Sequence, residues 1–446
     1  MSTVLGNNMR VRDKVHTDQM PASYYEATCN DREPFRRLEG QSRTEVCIVG
    51  GGFTGIAAAL ELAERGVSVT LLEQNQIGWG ASGRNGGQIT GGYGPDLSDY
   101  GKYVSVYGEA KAQAAWDMGV ECVDIIRRRT AKYEIDCDLT WGYFDAAMND
   151  SELSELKNAQ TLMQSRGYTP EQRFVSGAET KSVIGSKRFI GGLVNMGWGH
   201  CHPLNLVRGE ARAAEKLGAR IYEDARVDKV NYAVGGVELS TGHGKVVADK
   251  VIFAGNAYLG QLVPKLAARV LPAGSYIVAT EPLDESIANQ IMPENFAVCD
   301  QRWVLDYFRM TPDHRLLFGG LATYTGLHPV DIKGRVRRNM LKVFPQLSEV
   351  KLEYAWGGYI GIGLNRIPQV GEIKSGVFYA QAYSGHGIAA SHMSARLIAE
   401  AISGDHSRYD VIAGVKHPPF PGGRLMRRPT LAAGMAYHRL RDALRR

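Results

Sequence analysis

The hexapeptide Gly50-Gly51-Gly52-Phe53-Thr54-Gly55 fits the pattern G-x-G-x-x-G, and an acid, Glu73, follows about 20 residues further on. These residue types at this spacing bind a dinucleotide. Gly50 permits a tight turn, Gly52 lets the backbone approach a pyrophosphate, and Gly55 lets a helix pack closely on a strand. The N-terminus of that helix then faces the negative charge, and the acid accepts a ribose hydroxyl. A glycine turn in an unrelated α/β protein shows the same pattern. Here a preceding strand, a following helix and a correctly spaced acid favour the binding site. NAD, NADP and FAD all use this arrangement, so it does not name the cofactor.

A second glycine-rich stretch, IGWGASGRNGGQITGGYG, occupies 77–94, with eight glycines in eighteen positions. Trp79, Arg84, Asn85 and Gln88 interrupt it irregularly, which a flexible linker would not need. Glycine is costly unless the backbone needs positive φ or something must lie very close to it. GASGRNGG can form a nest of backbone N–H groups beneath a large flat ligand. A nicotinamide enzyme would continue into further βα units at this point, and this chain does not.

The elements that position these residues follow from periodicity. VCIVG reads as a short apolar strand, IAAALELAERG as a helix ended by Gly66, and VSVTLLE as a second buried strand, together a βαβ unit. Helical spacing recurs over 108–132 and more weakly over 150–166. A helix opens near Pro203, VELSTGHGKVV forms a hairpin leading into the buried strand VIFAG, and 270–330 alternates short β-like runs with turns. GVFYAQAYSGHGIAASHMSARLIAEAISG closes the body as strand, glycine turn and helix.

The bulk numbers set limits. A chain of 446 residues, 44% hydrophobic and 22% charged, has room for two or three domains with a sizeable core. The net charge of +5 is local, because seven arginines and one acid lie between His417 and Arg446. The rest is near neutral, which argues against nucleic-acid binding. Cysteines 29, 47, 122, 137, 201 and 299 form no CxxC and no metal-like spacing, as expected of reduced thiols in a cytoplasmic protein. The charged N-terminus has no apolar core of a signal peptide, and the most apolar run is broken by glycines, unlike a membrane span.

Taken together, SYYEAT, VCIVGGGFTGIAAALELAERG, GWGASGRNGGQ, GHCHPLNLVRG, VIFAGNAYL, LLFGG, RIPQVG and YSGHGIAASHMSARLIAEAISG resemble the FAD-dependent D-amino-acid oxidase superfamily. Within it the chain is most similar to the γ-glutamylputrescine oxidoreductase subgroup, over roughly 22–410. The resemblance implies that Gly50, Gly52 and Gly55, with Phe53 and Thr54, hold the pyrophosphate. It assigns the adenosine ribose to Glu73 with Gln74 beside it, and a backbone contact to adenine to Val227. Ala81, Ser82, Arg84, Asn85, Gly86, Gly87 and Gln88 would line the flavin side of the loop, with Ala254 and Gly255 on a cofactor-facing turn. Gly385, His386, Gly387 and Ile388 would lie against the flavin ring at the start of the last helix. Arg84 stands where covalently linked relatives carry histidine, and Cys299 precedes the C-terminal motif, so non-covalent FAD is expected.

The fold expected is α/β, a Rossmann-like FAD-binding domain with a second, antiparallel-sheet substrate domain. Its segments are an N-terminal arm (1–43), FAD-binding parts (44–95, 191–272 and 351–410), a mainly helical insertion (96–190), the substrate domain (273–350) and a basic tail (411–446). The implied reaction moves a hydride from the carbon beside an amine nitrogen to FAD, after which the imine hydrolyses and O2 or another acceptor takes the electrons. A D-amino-acid dehydrogenase feeding a quinone and a non-catalytic flavoprotein are the alternatives.

His386 can place an imidazole beside the flavin or cap its helix; Arg309 can anchor a carboxylate or form a surface ion pair. Tyr307, Trp356 and Tyr359 can cage an amine or fill the core. His200 and His202, flanking Cys201, have no third ligand in sequence, and no metal is expected. LAAGMAYHRLRDALRR at 431–446 carries an apolar helical stripe that would suit a membrane surface, the body or a partner subunit.

Overall fold

The computed structural model describes residues 20–302, 304–323 and 329–421; the tail helix expected at 431–446 lies outside them. Two sheets organise the chain. The first has a parallel core of Arg36–Arg37, Arg220–Glu223, Val69–Leu72, Gly40–Val49, Gly244–Phe253 and Val377–Gln381. Val46, Cys47 and Ile48 form a continuous apolar run because this strand is covered on both faces. Helices Phe53–Glu64, Pro203–Lys216 and Gly387–Ile402 pack together on one side. The hairpin Val227–Ala233 and Gly236–Thr241 extends the sheet beside Gly244–Phe253.

The second sheet runs Leu352–Ile362, Leu271–Thr280, Leu316–Thr323, Tyr307–Met310, Ala297–Asp300, Thr140–Ala147, Gly191–His200 and Gln88–Ile89. It is antiparallel except that Ala297–Asp300 pairs in parallel with Thr140–Ala147. Helix Ile332–Val343 buries Val336, Met340 and Val343 in the core of this sheet with Phe308, Phe318 and Phe344.

Several expected boundaries move. Thr140–Ala147 and Gln172–Ser176, inside the supposed helical insertion 96–190, are strands of the second sheet. Gly191–His200 and Leu352–Ile362 also belong there, not to the FAD-binding segments 191–272 and 351–410. Strand partners lie far apart in sequence, so periodicity shows that a strand exists but not which sheet receives it. The arm expected over 1–43 also enters the body. Arg36–Arg37 and the start of Gly40–Val49 are strands of the first sheet, and Tyr25 on the short helix Tyr24–Ala27 is fully buried.

A charged network holds the helical layer. Arg129, on helix Glu109–Lys132, donates to Glu61 at 2.7 Å and Glu210 at 3.0 Å. His392 Nε2 lies 3.0 Å from Glu210, and Arg396 Nε donates to Glu61 at 2.9 Å. Four helices are joined in this way, all behind the dinucleotide turn. Burial alone would push Glu61 up, yet Arg129 and Arg396 hold it down at about 2. Removing one partner of a buried pair leaves an uncompensated charge. Arg129→Met is therefore expected to cost about 3–5 kcal/mol in urea unfolding. A loss below about 1 kcal/mol would show that the network is not structural.

Candidate active site: a dinucleotide cradle closed by the second sheet

A cavity of about 890 Å³ runs between the two sheets. At one end lies the glycine turn. A Cβ at Gly50 would stand 2.9 Å from the Ala254 carbonyl carbon, and one at Gly55 only 1.9 Å from Gly50 O. A Cβ at Gly52 would reach within 2.8 Å of Ser82 Oγ. Gly52 caps helix Phe53–Glu64 without a side chain of its own, and the start of the helix faces the cavity with Ser82 Oγ accepting from Phe53 N–H at 2.9 Å. Glu73 accepts from Gly51 N–H at 2.6 Å and Asn75 N–H at 2.9 Å. Burial pushes its carboxyl up, and those backbone N–H groups oppose the shift.

The second glycine stretch is an ordered loop. Asn85 Nδ2 donates to the Ala81 and Ser82 carbonyls, while its Oδ1 accepts from Gly87 N–H. Arg84 Nε donates to Trp79 O at 2.6 Å, and its guanidinium lies 4.2 Å from the Trp79 ring centroid. Gln88 Nε2 donates to Val298 O and Phe308 O, fastening the loop's far end to the second sheet. Gly87 needs to be glycine on two counts: its φ is +74°, and a Cβ would sit 2.2 Å from Cys201 O.

Of the residues proposed for the cofactor, all line the cavity except Gly55 and Gly87, which pack behind it. His386 lines it too, at the N-cap of Gly387–Ile402, after the left-handed residues Ala382, Ser384 and Gly385. Backbone strain of this kind concentrates at functional sites. The residue is exposed where it stands in the cavity wall. Desolvation pushes its imidazole down, Arg366 adds to that, and Asp96 opposes it. Tyr307 reaches the cavity with its hydroxyl 3.2 Å from Ser275 Oγ, and burial pushes its phenol up to about 12.

The other candidates fall elsewhere. Arg309 does not line the cavity; it is 2% exposed and lies behind the loop, donating from Nε to Gly86 O at 3.0 Å. Trp356 is buried, donates to Arg84 O and packs on Tyr25 at 5.3 Å. Tyr359 is not among the lining residues. No aromatic cage is assembled around Tyr307 from these three. Sequence reasoning missed Arg366, Tyr143 and Cys299 in the wall. Arg366 has a structural signature, a left-handed φ of +59°, which its residue type does not reveal.

His200 and His202 are structural. His202 Nδ1 accepts from Asn205 N–H at 3.1 Å, capping helix Pro203–Lys216, and its Nε2 donates to Thr28 Oγ1 at 3.1 Å. His200 Nε2 donates to Asn295 O at 2.9 Å. Among the described residues, no cluster of His, Cys, Asp or Glu could hold a metal, and no helix is long and apolar enough to cross a membrane. The six cysteines are free thiols.

The fold and the cavity are those of a dinucleotide-dependent enzyme. Residues 45–401 match the DAO family, FAD dependent oxidoreductase, and the chain belongs to that family. It is 42% identical to γ-glutamylputrescine oxidoreductase of Escherichia coli (strain K12), covering 95% of this chain and 98% of that protein. It is 37% identical to probable oxidoreductase OrdL of Haemophilus influenzae, covering 95% and 97% respectively. Glycine oxidase from Bacillus cereus, at 21% identity, has the same fold with a TM-score of 0.68 over 84% of this chain and 99% of that one. The cofactor is FAD, held non-covalently. The glycine cradle, the helix start that faces the cavity and the size of the cavity all suit it.

The two buried histidines make stability depend on pH. Burial, then the charge of Arg309, pushes each from 6.5 to about 3. The unfolded chain therefore takes up protons first as pH falls below 6.5, and stability present at pH 7 is lost toward 3. At pH 5 the loss is about 2 kcal/mol per histidine. His202→Asn, which can still cap the helix, is expected to lose less thermal stability between pH 7 and pH 5 than the parent protein. Equal losses would exclude this origin.

Proposed function

We propose that this enzyme oxidises the carbon beside the amine nitrogen of a γ-glutamylated amine, with γ-glutamylputrescine as the leading substrate. The imine would then hydrolyse to an aldehyde, and O2 would take the electrons to give H2O2. The observation that carries this reading is the 42% identity to γ-glutamylputrescine oxidoreductase, which extends over nearly the whole of both chains. Bound FAD supplies the hydride-accepting chemistry. The chain's own residues position the amine and keep it uncharged, since a protonated nitrogen has no lone pair to assist loss of the hydride.

The cavity wall suits that task. Around Tyr307 stand Ser275, Tyr143, Cys299 and Leu305, none of them charged in the protonation states their burial favours. His386, held below its ordinary pKa by desolvation, stays neutral and adds no positive charge beside the amine. A D-amino-acid dehydrogenase needs a carboxylate anchor beside the flavin, and the guanidinium of Arg309, a candidate for that role, is committed behind the loop.

The test is anaerobic bleaching of the flavin band by γ-glutamylputrescine, putrescine, other γ-glutamylated amines, D-alanine, D-proline and sarcosine. Fast bleaching by the γ-glutamylated amines, followed by peroxide formation on admitting oxygen, is the expected result. Bleaching by D-amino acids alone would overturn the substrate class. Bleaching without oxygen uptake would overturn the oxidase assignment.

A further inference from the structure

Arg309 is among the largest fully buried side chains, and its hydrogen bonds all go to neutral oxygens. Nε donates to Gly86 O at 3.0 Å, Nη1 to Met310 O at 3.2 Å and Nη2 to Tyr25 OH at 3.4 Å. Among the described residues no carboxylate pairs with it. Tyr307 and Arg309, two apart on one strand, point to the same face. Tyr307 enters the cavity, whereas the Gly86–Gly87 backbone is laid over Arg309, where a Cβ at Gly87 would stand 3.1 Å from Nε and Nη2. The positive charge is thus one layer of backbone away from the cofactor cavity.

We infer that Arg309 is a positioning residue whose guanidinium fixes the Gly86 carbonyl of the flavin loop and whose unpaired charge favours the reduced, negatively charged form of the bound flavin. No group hydrogen-bonded to the guanidinium carries a formal negative charge. His200 and His202 face it in their neutral forms, each held at about 3 by burial and then by Arg309 itself. Burial likewise raises Tyr25 and keeps its hydroxyl protonated against the guanidinium. Asp138 is raised by burial and by Asp136 while Arg309 favours its charged form, and it makes no ion pair with the guanidinium among the described residues. Asp313 is occupied with Thr311, Tyr24 and Arg315. An unpaired buried charge is a large cost unless something of opposite sign arrives.

This explains the N-terminal SYYEAT segment as well. Tyr24–Ala27 carries Tyr25 into a pocket between His202 at 5.0 Å, Trp356 at 5.3 Å and the guanidinium at 5.9 Å. Trp356 in turn donates to Arg84 O in the flavin loop. The first residues of the body therefore brace the loop from behind, through Arg309 on one side and Trp356 on the other.

The test uses the full-length, FAD-loaded enzyme and needs no substrate. Sulfite bonds through sulfur to flavin N5 and leaves negative charge on the ring, so its affinity reports the same electrostatics as the midpoint potential. Arg309→Gln is expected to weaken sulfite binding about tenfold and to lower the two-electron potential by about 30 mV for each tenfold. Arg309→Lys keeps the charge but not the fork. It is expected to bind FAD more weakly while its sulfite affinity and potential stay near those of the parent. Parental sulfite affinity and potential in an FAD-loaded Arg309→Gln would overturn the inference. If that variant fails to fold, a tenfold loss of sulfite affinity in Arg309→Lys would overturn it instead. Both readouts are independent of which amine the enzyme uses.

Discussion

Gly78 N–H donates to Gly51 O at 2.9 Å, and Ser82 Oγ accepts from Phe53 N–H at the same distance. Through these two bonds the second glycine loop is fastened onto the dinucleotide turn, and most of the site follows from that attachment. The loop's other end pairs as Gln88–Ile89 with Gly191–His200, so one continuous stretch of backbone is stitched to both sheets. Cys201 N–H donates to Gly87 O across the same junction. Any relative shift of the two sheets would have to break these bonds, and the cavity between them keeps its shape for that reason.

The glycine content is the geometric cost of this attachment. Gly55 meets the Gly50 carbonyl, Gly78 meets Leu204 and Val207, and Gly87 meets the Cys201 carbonyl, each at distances that leave no room for a Cβ. Close approach of the rest of the protein, backbone at Gly55 and Gly87 and side chains at Gly78, accounts for them as much as the ligand does. The sequence reading expected the glycines to lie against the cofactor, and the loop does line the cavity at Ala81, Ser82, Arg84 and Gly86. Gly87, however, is turned toward the protein.

What was legible was local. A strand, a glycine turn, a helix and an acid at fixed spacing are one unit of chain, so Gly50, Gly52 and Glu73 could be placed from sequence. The wall opposite them is not one unit. Tyr143, Ser275, Cys299 and Tyr307 come from four strands whose order in the sheet no periodicity reveals. Arg309 shows the limit most clearly. Its type suits a carboxylate and its strand faces the cavity, yet a loop more than two hundred residues earlier covers it. Trp356 was likewise read as a candidate cage and is instead a strut beneath Arg84.

Two buried arginines mark the two kinds of work this fold asks of charge. Arg129 sits among Glu61, Glu210 and the His392 ring, and its charge is balanced where it stands. That network is directed inward, holding four helices in register behind the dinucleotide turn. Arg309 has comparable burial and only neutral partners, and it lies at the seam where the loop meets the second sheet. A protein selected for stability alone would gain by pairing or replacing it. Keeping a cation unpaired beside a cavity built for a redox cofactor makes physical sense if the compensating charge is the one that the reaction itself creates there.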